Sequence, residues 1–496
     1  MNAPMSFHQI NFLVLFGGVL TLYWLVARWR LARLWVLLLA SLGFYAAWNP
    51  VPLLLYLFSA AVNAIAGPMM ERPTHRSASR AMRAKDERVR KNVMIVAVCI
   101  HVGVLVTSKY LQLFLKSAGS IAGWLHIEWT PPDLGLIHPL GLSFLTFQAV
   151  GYIVDVYRKQ TSGKRSLLHH LLFATFFPRV VSGPILRAHQ LIDEFDTPPG
   201  VITPSGPTLP AADGAQALFR IAQGLAKKLL LADVLGGSLV NPVFANPTGY
   251  SAAECVLAAT AYTLQLYFDF SGYSDIAIGI AGLLGFKFPE NFDKPYHATN
   301  LFDFWNRWHL TLSTWLRDYL YRPLGGNQGS KWQTLRNTMI VMSLGGLWHG
   351  ADWRFLIWGA LHGLFLCMWR AYWWAAGKPK KAEVGFARKL GGWFVMINAV
   401  IFARIFFRAE TMSLALDMFK QLGTLTGNMA RVSGLAWFSL VACIVFYVLP
   451  RPVFEKSQVL FIKSPILVRA LLLLAIGLAT HQFSSIESQP YIYLRY

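Results

Sequence analysis

The sequence predicts an all-α, polytopic membrane protein with about eleven spans plus re-entrant helices. Of its 496 residues, 55% are hydrophobic and only 14% are charged, whereas soluble proteins carry roughly 25% charged residues. Apolar runs recur along the chain at about the 20-residue length that a transmembrane helix requires. No polar stretch is long enough to fold separately, so we expect a single membrane domain over residues 1–496.

The charge pattern supports a membrane protein rather than a nucleic-acid-binding one. Lys and Arg number 45 against 24 Asp and Glu, a formal net charge of +21. The basic residues lie in short segments between apolar runs, as the positive-inside bias predicts, and attraction to lipid headgroups is the simplest consequence. The four cysteines each stand alone in an apolar run. We therefore expect no disulfide and no metal site.

The first third of the chain alternates spans with basic or polar connections. We predict spans over about 12–29, 34–48 and 93–115, with a turn at the Asn49-Pro50 pair. The basic run at 71–91 gives the strongest orientation signal and is placed in the cytoplasm. The segment 119–138 is polar enough to form an external loop.

The middle of the chain carries unusual polar groups. Residues 139–159 form an apolar helix interrupted by small and polar side chains, and 173–191 predict a broken helix because they contain two prolines. Residues 197–210 are expected to lack regular structure. Lys227 and Lys228 either snorkel or face a cavity.

Two aspartates, Asp269 and Asp275, lie within the apolar run 262–296. Such carboxylates are costly in a membrane unless they are paired or hydrated. Intramembrane ionisable groups are functional-site candidates by default.

We predict that the rest of the chain is organised around residues 295–363, where His309 and His349 each follow a tryptophan. The spacing of aromatic and apolar residues predicts one amphipathic helix over 300–321, interfacial or re-entrant in position. Asp303 with Arg307 and Asp318 with Arg322 are spaced as i,i+4 ion pairs. A glycine-rich turn at 324–327 ends this helix. Ordinary packing is the alternative role for its tryptophans, and both interpretations stay open here.

His349 lies between two apolar runs with glycines on both sides, which leave room for a ligand or a backbone to approach. A desolvated imidazole favours its neutral form, which a general base requires. A hydrogen-bonded core histidine is the alternative. The sequence contains no GxSxG, P-loop or HExxH motif, so an enzyme of this kind would transfer a group directly with a histidine base.

The C-terminal part predicts further spans, ending near 374, 407, 449 and 480, with basic loops at 378–389 and 451–463. The basic loops favour periplasmic placement of both termini. We find no internal repeat, which argues against an inverted-repeat transporter.

At these residues the chain resembles the membrane-bound O-acyltransferase family, specifically its bacterial alginate O-acetylase branch. The matching segments run in the family's order over about 141–410. They are GLSFLTFQAVGYIVDVYRK, FPRVVSGPILR, LQLYFDFSGYSDIAIGIAGLLGFKFPENFDKPY, FWNRWHLTLSTWLRDYLYRPLGGNQ, GGLWHGADWRFLIWGALHG and FFRAE.

The resemblance implies an all-helical membrane fold with a central tunnel, and catalytic histidines at His349 and His309. It implies an acetyl group moved from a cytoplasmic thioester donor, acetyl-CoA or an acyl carrier protein, for O-acetylation of an alginate-like or cellulose-like exopolysaccharide. Periplasmic acetyltransferases are the implied partners, the bacterial inner membrane the implied location, and no permanently bound cofactor is expected. Candidate tunnel or substrate-binding residues are Trp305, Trp308, Trp348, Asp269, Asp275 and Arg317.

Two alternatives remain at this point. The same branch includes D-alanyl transferases for teichoic acids, which share the motifs around the histidines. A non-catalytic polysaccharide or small-molecule transporter would also use buried histidines and aspartates to line a polar path.

Overall fold

The computed structural model describes residues 10–47, 50–71, 79–135, 141–179, 183–204, 206–377 and 385–487. Within these ranges the chain is almost entirely helical, and its only sheet is one short antiparallel hairpin. The predicted all-α class is therefore confirmed. The chain divides into two compact units, residues 1–217 with 277–289, and residues 218–276 with 290–496. The single membrane domain over 1–496 stays a prediction.

The first unit holds the N-terminal helices and the hairpin. Its elements are α1 (Ile10–Leu25), α2 (Arg30–Ala46), α3 (Pro50–Met70), α4 (Arg80–Leu105), a π-helical turn (Val106–Tyr110), α5 (Leu111–Trp124), α6 (Leu142–Tyr157), α7 (Leu167–Thr175), a 3₁₀ turn (Phe177–Arg179), α8 (Ala188–Leu191), β1 (Val201–Thr203) and β2 (Gly206–Thr208). The prediction of no regular structure at 197–210 was wrong, because β1 and β2 pair there with Val201 opposite Thr208. The broken helix predicted at 173–191 is confirmed by the end of α7 at Thr175.

The longest continuous rod of the first unit runs through α4, the π-helical turn and α5. It spans Arg80–Trp124, 45 residues, and is apolar enough to cross a membrane. Ser79 begins it, because the Ser79 hydroxyl accepts a hydrogen bond from the Met82 backbone N–H at 3.3 Å. The rod continues to Trp124, so the predicted external loop starts later than residue 119.

The second unit contains the motif-rich part of the chain. Its elements are α9 (Ala211–Leu225, entering from the first unit), π-helical turns at Ala226–Ala232 and Gly236–Val240, α10 (Asp233–Leu235), α11 (Asn241–Ala245), a 3₁₀ turn (Pro247–Gly249), α12 (Ala252–Leu283, whose end belongs to the first unit), a 3₁₀ turn (Pro295–His297), α13 (Leu301–Trp305), α14 (Leu310–Leu316), a π-helical turn (Arg317–Tyr321), α15 (Lys331–His349), α16 (Trp353–Ala376), α17 (Phe386–Arg408), α18 (Met412–Gly423), α19 (Gly434–Val448), α20 (Arg451–Lys463) and α21 (Ile466–Glu487).

Among the described residues, five helices are long and apolar enough to span a membrane. A sixth candidate is the pair α19 and α20, which meet at 87°, and three shorter apolar helices accompany them. The number eleven therefore stays a prediction. An odd number of complete crossings would place the termini on opposite sides, so eleven segments and two periplasmic termini are compatible only if an odd number of these segments do not cross. Most of the basic run at 378–389 and the C-terminal tail lie outside the described residues.

Helices α15 and α16 form a tight antiparallel pair in the second unit. They approach most closely at Gly346 and Gly359, where a Cβ built on either glycine would lie 2.9 Å from the Cα of the other. No side chain fits at that separation, so both positions require glycine. Each glycine precedes a histidine by three positions, His349 on α15 and His362 on α16. The close approach therefore fixes where both imidazoles lie.

Candidate active site

His349 lies in an aromatic enclosure at the end of α15 and is 6% exposed. The ring centroids of Trp348, Trp358 and Phe407 lie 4.9, 5.1 and 5.2 Å from that of the imidazole. A side chain at Gly350 would collide with the ring of Phe355. The space beside Gly350 is therefore filled by close packing of the protein itself, against Phe355.

His309 occupies a break between two short helices. The predicted single helix over 300–321 was wrong, because α13 ends at Trp305 and α14 begins only at Leu310. His309 caps α14 with φ 45° and ψ 56°, in the left-handed region. This conformation is uncommon for a residue with a side chain, and it is typical of sites where the surroundings impose it. The predicted i,i+4 pairs are nevertheless confirmed, with Arg307–Asp303 at 2.9 Å and Arg322–Asp318 at 3.1 Å.

Asn291 holds His309 in place. Its side-chain carbonyl oxygen lies 3.1 Å from His309 Nδ1, and it also accepts hydrogen bonds from the Thr311 hydroxyl at 3.0 Å and the Thr311 N–H at 3.3 Å. The Asn291 amide nitrogen donates to the Ser274 hydroxyl at 3.3 Å. Because the Asn291 oxygen is the acceptor in this network, the imidazole carries its proton on Nδ1 and its lone pair on Nε2.

One indole lies between the two predicted histidines. Trp348 packs against His349 on one side and has its ring centroid 6.1 Å from that of His309 on the other. Phe270 of α12 closes over His309 with a centroid separation of 4.7 Å. The structure therefore brings His309, Trp348 and His349 together, and their roles in catalysis or substrate binding stay a prediction.

Trp308, the next predicted residue, packs in the core. It is 3% exposed, its ring stacks on Phe304 at 5.7 Å, and the Arg404 guanidinium lies 4.5 Å from its centroid. These contacts match the alternative of ordinary packing.

The two predicted aspartates are buried in ion pairs, as their cost in a membrane requires. Lys228 Nζ lies 2.6 Å from Asp269 and 2.7 Å from Asp233. Lys227 Nζ lies 2.6 Å from Asp275, which also accepts from Arg220 at 2.9 Å. Of the two lysines that we expected to snorkel or face a cavity, Lys227 lines one and Lys228 is locked inside the protein.

A polar cavity of about 300 Å³ reaches the residue that holds His309. Its wall includes Asn291 and Ser274. Its charged lining residues are Arg220, Lys227, Arg451, Asp275, Glu290 and Glu455. Cations and anions balance in number, so the cavity suits a polar but uncharged group better than a free phosphate.

Arg317 begins the π-helical turn that follows α14. It is half exposed, pairs with Asp318 at 2.9 Å, and lines a second cavity of about 410 Å³ together with Trp305. Trp305 connects this cavity to the aromatic enclosure, because its ring centroid lies 6.1 Å from that of Trp358.

Sequence reasoning missed Asn291 and His362. Asn291 stands in an irregular stretch, where its partner His309 is distant in sequence and no periodicity joins them. His362 did carry a signal, because His349-Gly350 and His362-Gly363 repeat the same dipeptide in neighbouring apolar runs.

Comparisons with known proteins show which family and which relatives this chain is similar to. Residues 158–407 match the model of the MBOAT, membrane-bound O-acyltransferase family. The probable alginate O-acetylase AlgI of Pseudomonas aeruginosa is 38% identical over 451 residues, 88% of this chain and 79% of that protein. The peptidoglycan O-acetyltransferase of Helicobacter pylori is 35% identical over 420 residues, 80% and 74%. The teichoic acid D-alanyltransferase of Streptococcus thermophilus is 34% identical over 267 residues, 52% and 61%.

Proposed function

Because this chain belongs to the membrane-bound O-acyltransferase family, we propose that it moves an acetyl group from a cytoplasmic thioester to a polysaccharide hydroxyl beyond the membrane. The chain is a multi-pass membrane protein and an O-acetyltransferase, so the transporter alternative is set aside. The observation that carries the proposal is the enclosure of His349, next to a second histidine whose tautomer is fixed by Asn291.

His349 is the general base in this proposal. The acceptor hydroxyl oxygen attacks the carbonyl carbon of the thioester while its proton passes to the imidazole. The carbon–sulfur bond then breaks, and the thiolate leaves and takes up the proton from His349. A neutral imidazole in a water-poor enclosure suits both proton transfers, which typically contribute 10²–10⁴-fold to rate.

His309 is assigned a direct role beside His349. With its proton on Nδ1, its Nε2 lone pair can accept a hydrogen bond from the attacking hydroxyl or from a water. The polar cavity at Asn291 supports this assignment, because it gives a polar group a way toward the histidine.

The substrates and partners are proposed from the resemblance of the sequence to the alginate O-acetylase branch. An alginate-like or cellulose-like exopolysaccharide is the proposed acceptor, acetyl-CoA or an acyl carrier protein the donor, and periplasmic acetyltransferases the partners. The inner membrane, with both termini periplasmic, is the proposed location. D-alanyl transfer to a teichoic-acid-type polymer is the second candidate, supported by the D-alanyltransferase relative. It is less favoured because that match covers 52% of this chain, against 88% for the alginate relative.

The test is the acetyl ester content of secreted polysaccharide in a deletion strain complemented with wild type, His349→Ala or His170→Ala. His170 is a matched control, because it is equally buried but lies in the first unit, beside Tyr152. Wild type and His170→Ala should restore esters, and His349→Ala should reduce them at least about 100-fold. Immunoblots of membrane fractions establish that each variant is inserted.

Two results would count against the proposal. Full ester content with His349→Ala would make this histidine structural and turn attention to His309. Absence of acetyl esters with inserted wild type would point to another acyl group, and D-alanine released by mild alkali would identify the second candidate.

A further inference from the structure

A third histidine, His362, packs against Trp358 within the same aromatic cluster as His349, and ordinary packing does not explain its polar atoms. It is 1% exposed on α16. Within the part of the chain that the structure describes, neither of its ring nitrogens has a hydrogen-bond partner. Buried polar atoms in native proteins nearly always have such partners, and an exception calls for an explanation such as strain, a catalytic role or a bound water or ion.

Two tryptophans beside His362 share this property. The ring centroids of Trp358 and Trp305 lie 4.8 and 5.3 Å from that of His362. Both indole N–H groups are buried and lack an acceptor among the described residues. Four buried nitrogen atoms without partners thus belong to one cluster of three side chains, which we name the His362 cluster.

A buried histidine without partners would not carry the argument alone. His170 in the first unit also has both ring nitrogens unpaired within the described ranges. It packs edge-on against Tyr152 at 5.0 Å, without a neighbouring indole N–H. The His362 cluster differs, because several donors and an acceptor collect at one place.

The cluster also lies between a cavity and the proposed base. Trp358 contacts His349, with ring centroids 5.1 Å apart. Trp305 lines the cavity of about 410 Å³. The cluster therefore connects that cavity to the proposed base.

The chemistry of the three side chains selects the kind of ligand. An indole N–H only donates hydrogen bonds, whereas a neutral imidazole has one donor and one acceptor nitrogen. A carbonyl oxygen can only accept and would leave the imidazole acceptor unused. A hydroxyl group accepts from an indole and donates to the imidazole, so it satisfies both.

We propose that His362, Trp358 and Trp305 form the subsite that binds the hydroxyl-bearing acyl acceptor beside His349. The proposal rests on the proposed function and adds to it the residues that select the acceptor. An ordered water could form the same hydrogen bonds with these nitrogen atoms. The experiment distinguishes a bound water from a bound acceptor.

The experiment measures acetyl transfer by full-length protein in lipid nanodiscs. Acetyl-CoA, or acetylated carrier protein if coenzyme A gives no transfer, is the donor. The acceptor is a series of concentrations of de-esterified oligosaccharide prepared from the host's exopolysaccharide. The variants are His362→Ala, His362→Gln, Trp358→Phe and the control His170→Ala. Trp358→Phe keeps an aromatic ring and removes only the indole N–H.

For His362→Ala we expect the half-saturating acceptor concentration to rise at least about tenfold, with a smaller change in maximal rate. The half-saturating concentration of His362→Gln should lie between those of His362→Ala and wild type. That of Trp358→Phe should be severalfold above wild type, and that of His170→Ala should equal wild type. If His362→Ala does not fold, the Gln and Phe variants decide alone.

An unchanged half-saturating concentration in folded variants would overturn the inference, including when thermal stability falls, since that pattern indicates a structural water. Failure of wild type to transfer acetyl with either donor would overturn the proposed function, and this inference with it.

Discussion

At the scale of single residues, Asn291 determines the orientation and the tautomer of the His309 imidazole. The Asn291 oxygen gathers three donors, one from His309 and two from Thr311. This arrangement holds a histidine in the left-handed conformation and fixes which nitrogen carries the proton. His309 itself is completely buried.

Asn291→Ala should therefore lower acetyl transfer by about tenfold, the effect of roughly 1.4 kcal/mol in orienting one imidazole. Ester content of the secreted polysaccharide, normalised to inserted protein, measures it. Thr311→Val is the matched control, because it removes a hydroxyl donor to the same oxygen and leaves the His309 bond intact. Full activity of a well-inserted Asn291→Ala protein would show that the amide does not position His309.

The residue scale also shows what sequence can predict. The pairs Asp303–Arg307 and Asp318–Arg322 were predictable because both partners lie one helical turn apart. The partners of Asp269 and Asp275 were not, since Lys228 and Lys227 come from a helical segment 41 and 48 positions earlier. Sequence indicated that these carboxylates must be paired or hydrated, but only the packing of two helices determines which cations they meet.

At the scale of elements, the pair α15 and α16 explains the spacing of the two HG dipeptides. The helices touch at Gly346 and Gly359, and each histidine follows three positions later. A methyl group at Gly346 would meet the Phe355 carbonyl oxygen and the Gly359 backbone. Backbone atoms cannot move aside as the end of a flexible side chain can.

Gly346→Ala should accordingly separate the helices and reduce stability by about 1–3 kcal/mol, the usual cost of overpacking. A lower midpoint of thermal unfolding of the purified protein, with loss of transfer, is the expected result. Gly345→Ala is the neighbouring control, because its new Cβ would lie 3.1 Å from a Leu316 methyl group, which can rotate away. Equal stability of both variants would contradict the proposed contact.

The break at His309 marks the limit of element prediction. Aromatic residues keep their 3- and 4-residue spacing across 300–321, and this periodicity reports which side is buried rather than whether the helix is continuous. The left-handed residue depends on Asn291, outside the window that the pattern covers. Tertiary contacts thus interrupt the helix that the local periodicity predicts.

At the scale of the whole molecule, composition correctly indicated an all-α membrane protein. It did not determine the number of crossings, because three apolar helices are short and one apolar pair is bent, and composition alone does not tell whether such helices cross the membrane. Re-entrant helices and spans differ in depth and packing, which amino-acid composition alone does not record.

The orientation of the molecule can be tested on α4 and α5. In a background with the four cysteines replaced, Arg83→Cys should react with a membrane-impermeant maleimide only after the cytoplasmic side is opened, as the positive-inside bias requires. Trp124→Cys, at the other end of the same rod and 80% exposed, should react in intact spheroplasts. Labelling of Arg83→Cys in intact spheroplasts would invert the proposed topology.

The rod Arg80–Trp124 has one more consequence, which concerns length. At about 1.5 Å per residue its 45 residues extend for about 67 Å, while the hydrocarbon core of a bilayer is about 30 Å thick. Even a strongly tilted rod must leave about 25 Å or more of helix outside the hydrocarbon. The immersion depths of spin labels placed along it would measure the tilt of the protein and the thickness of the surrounding bilayer.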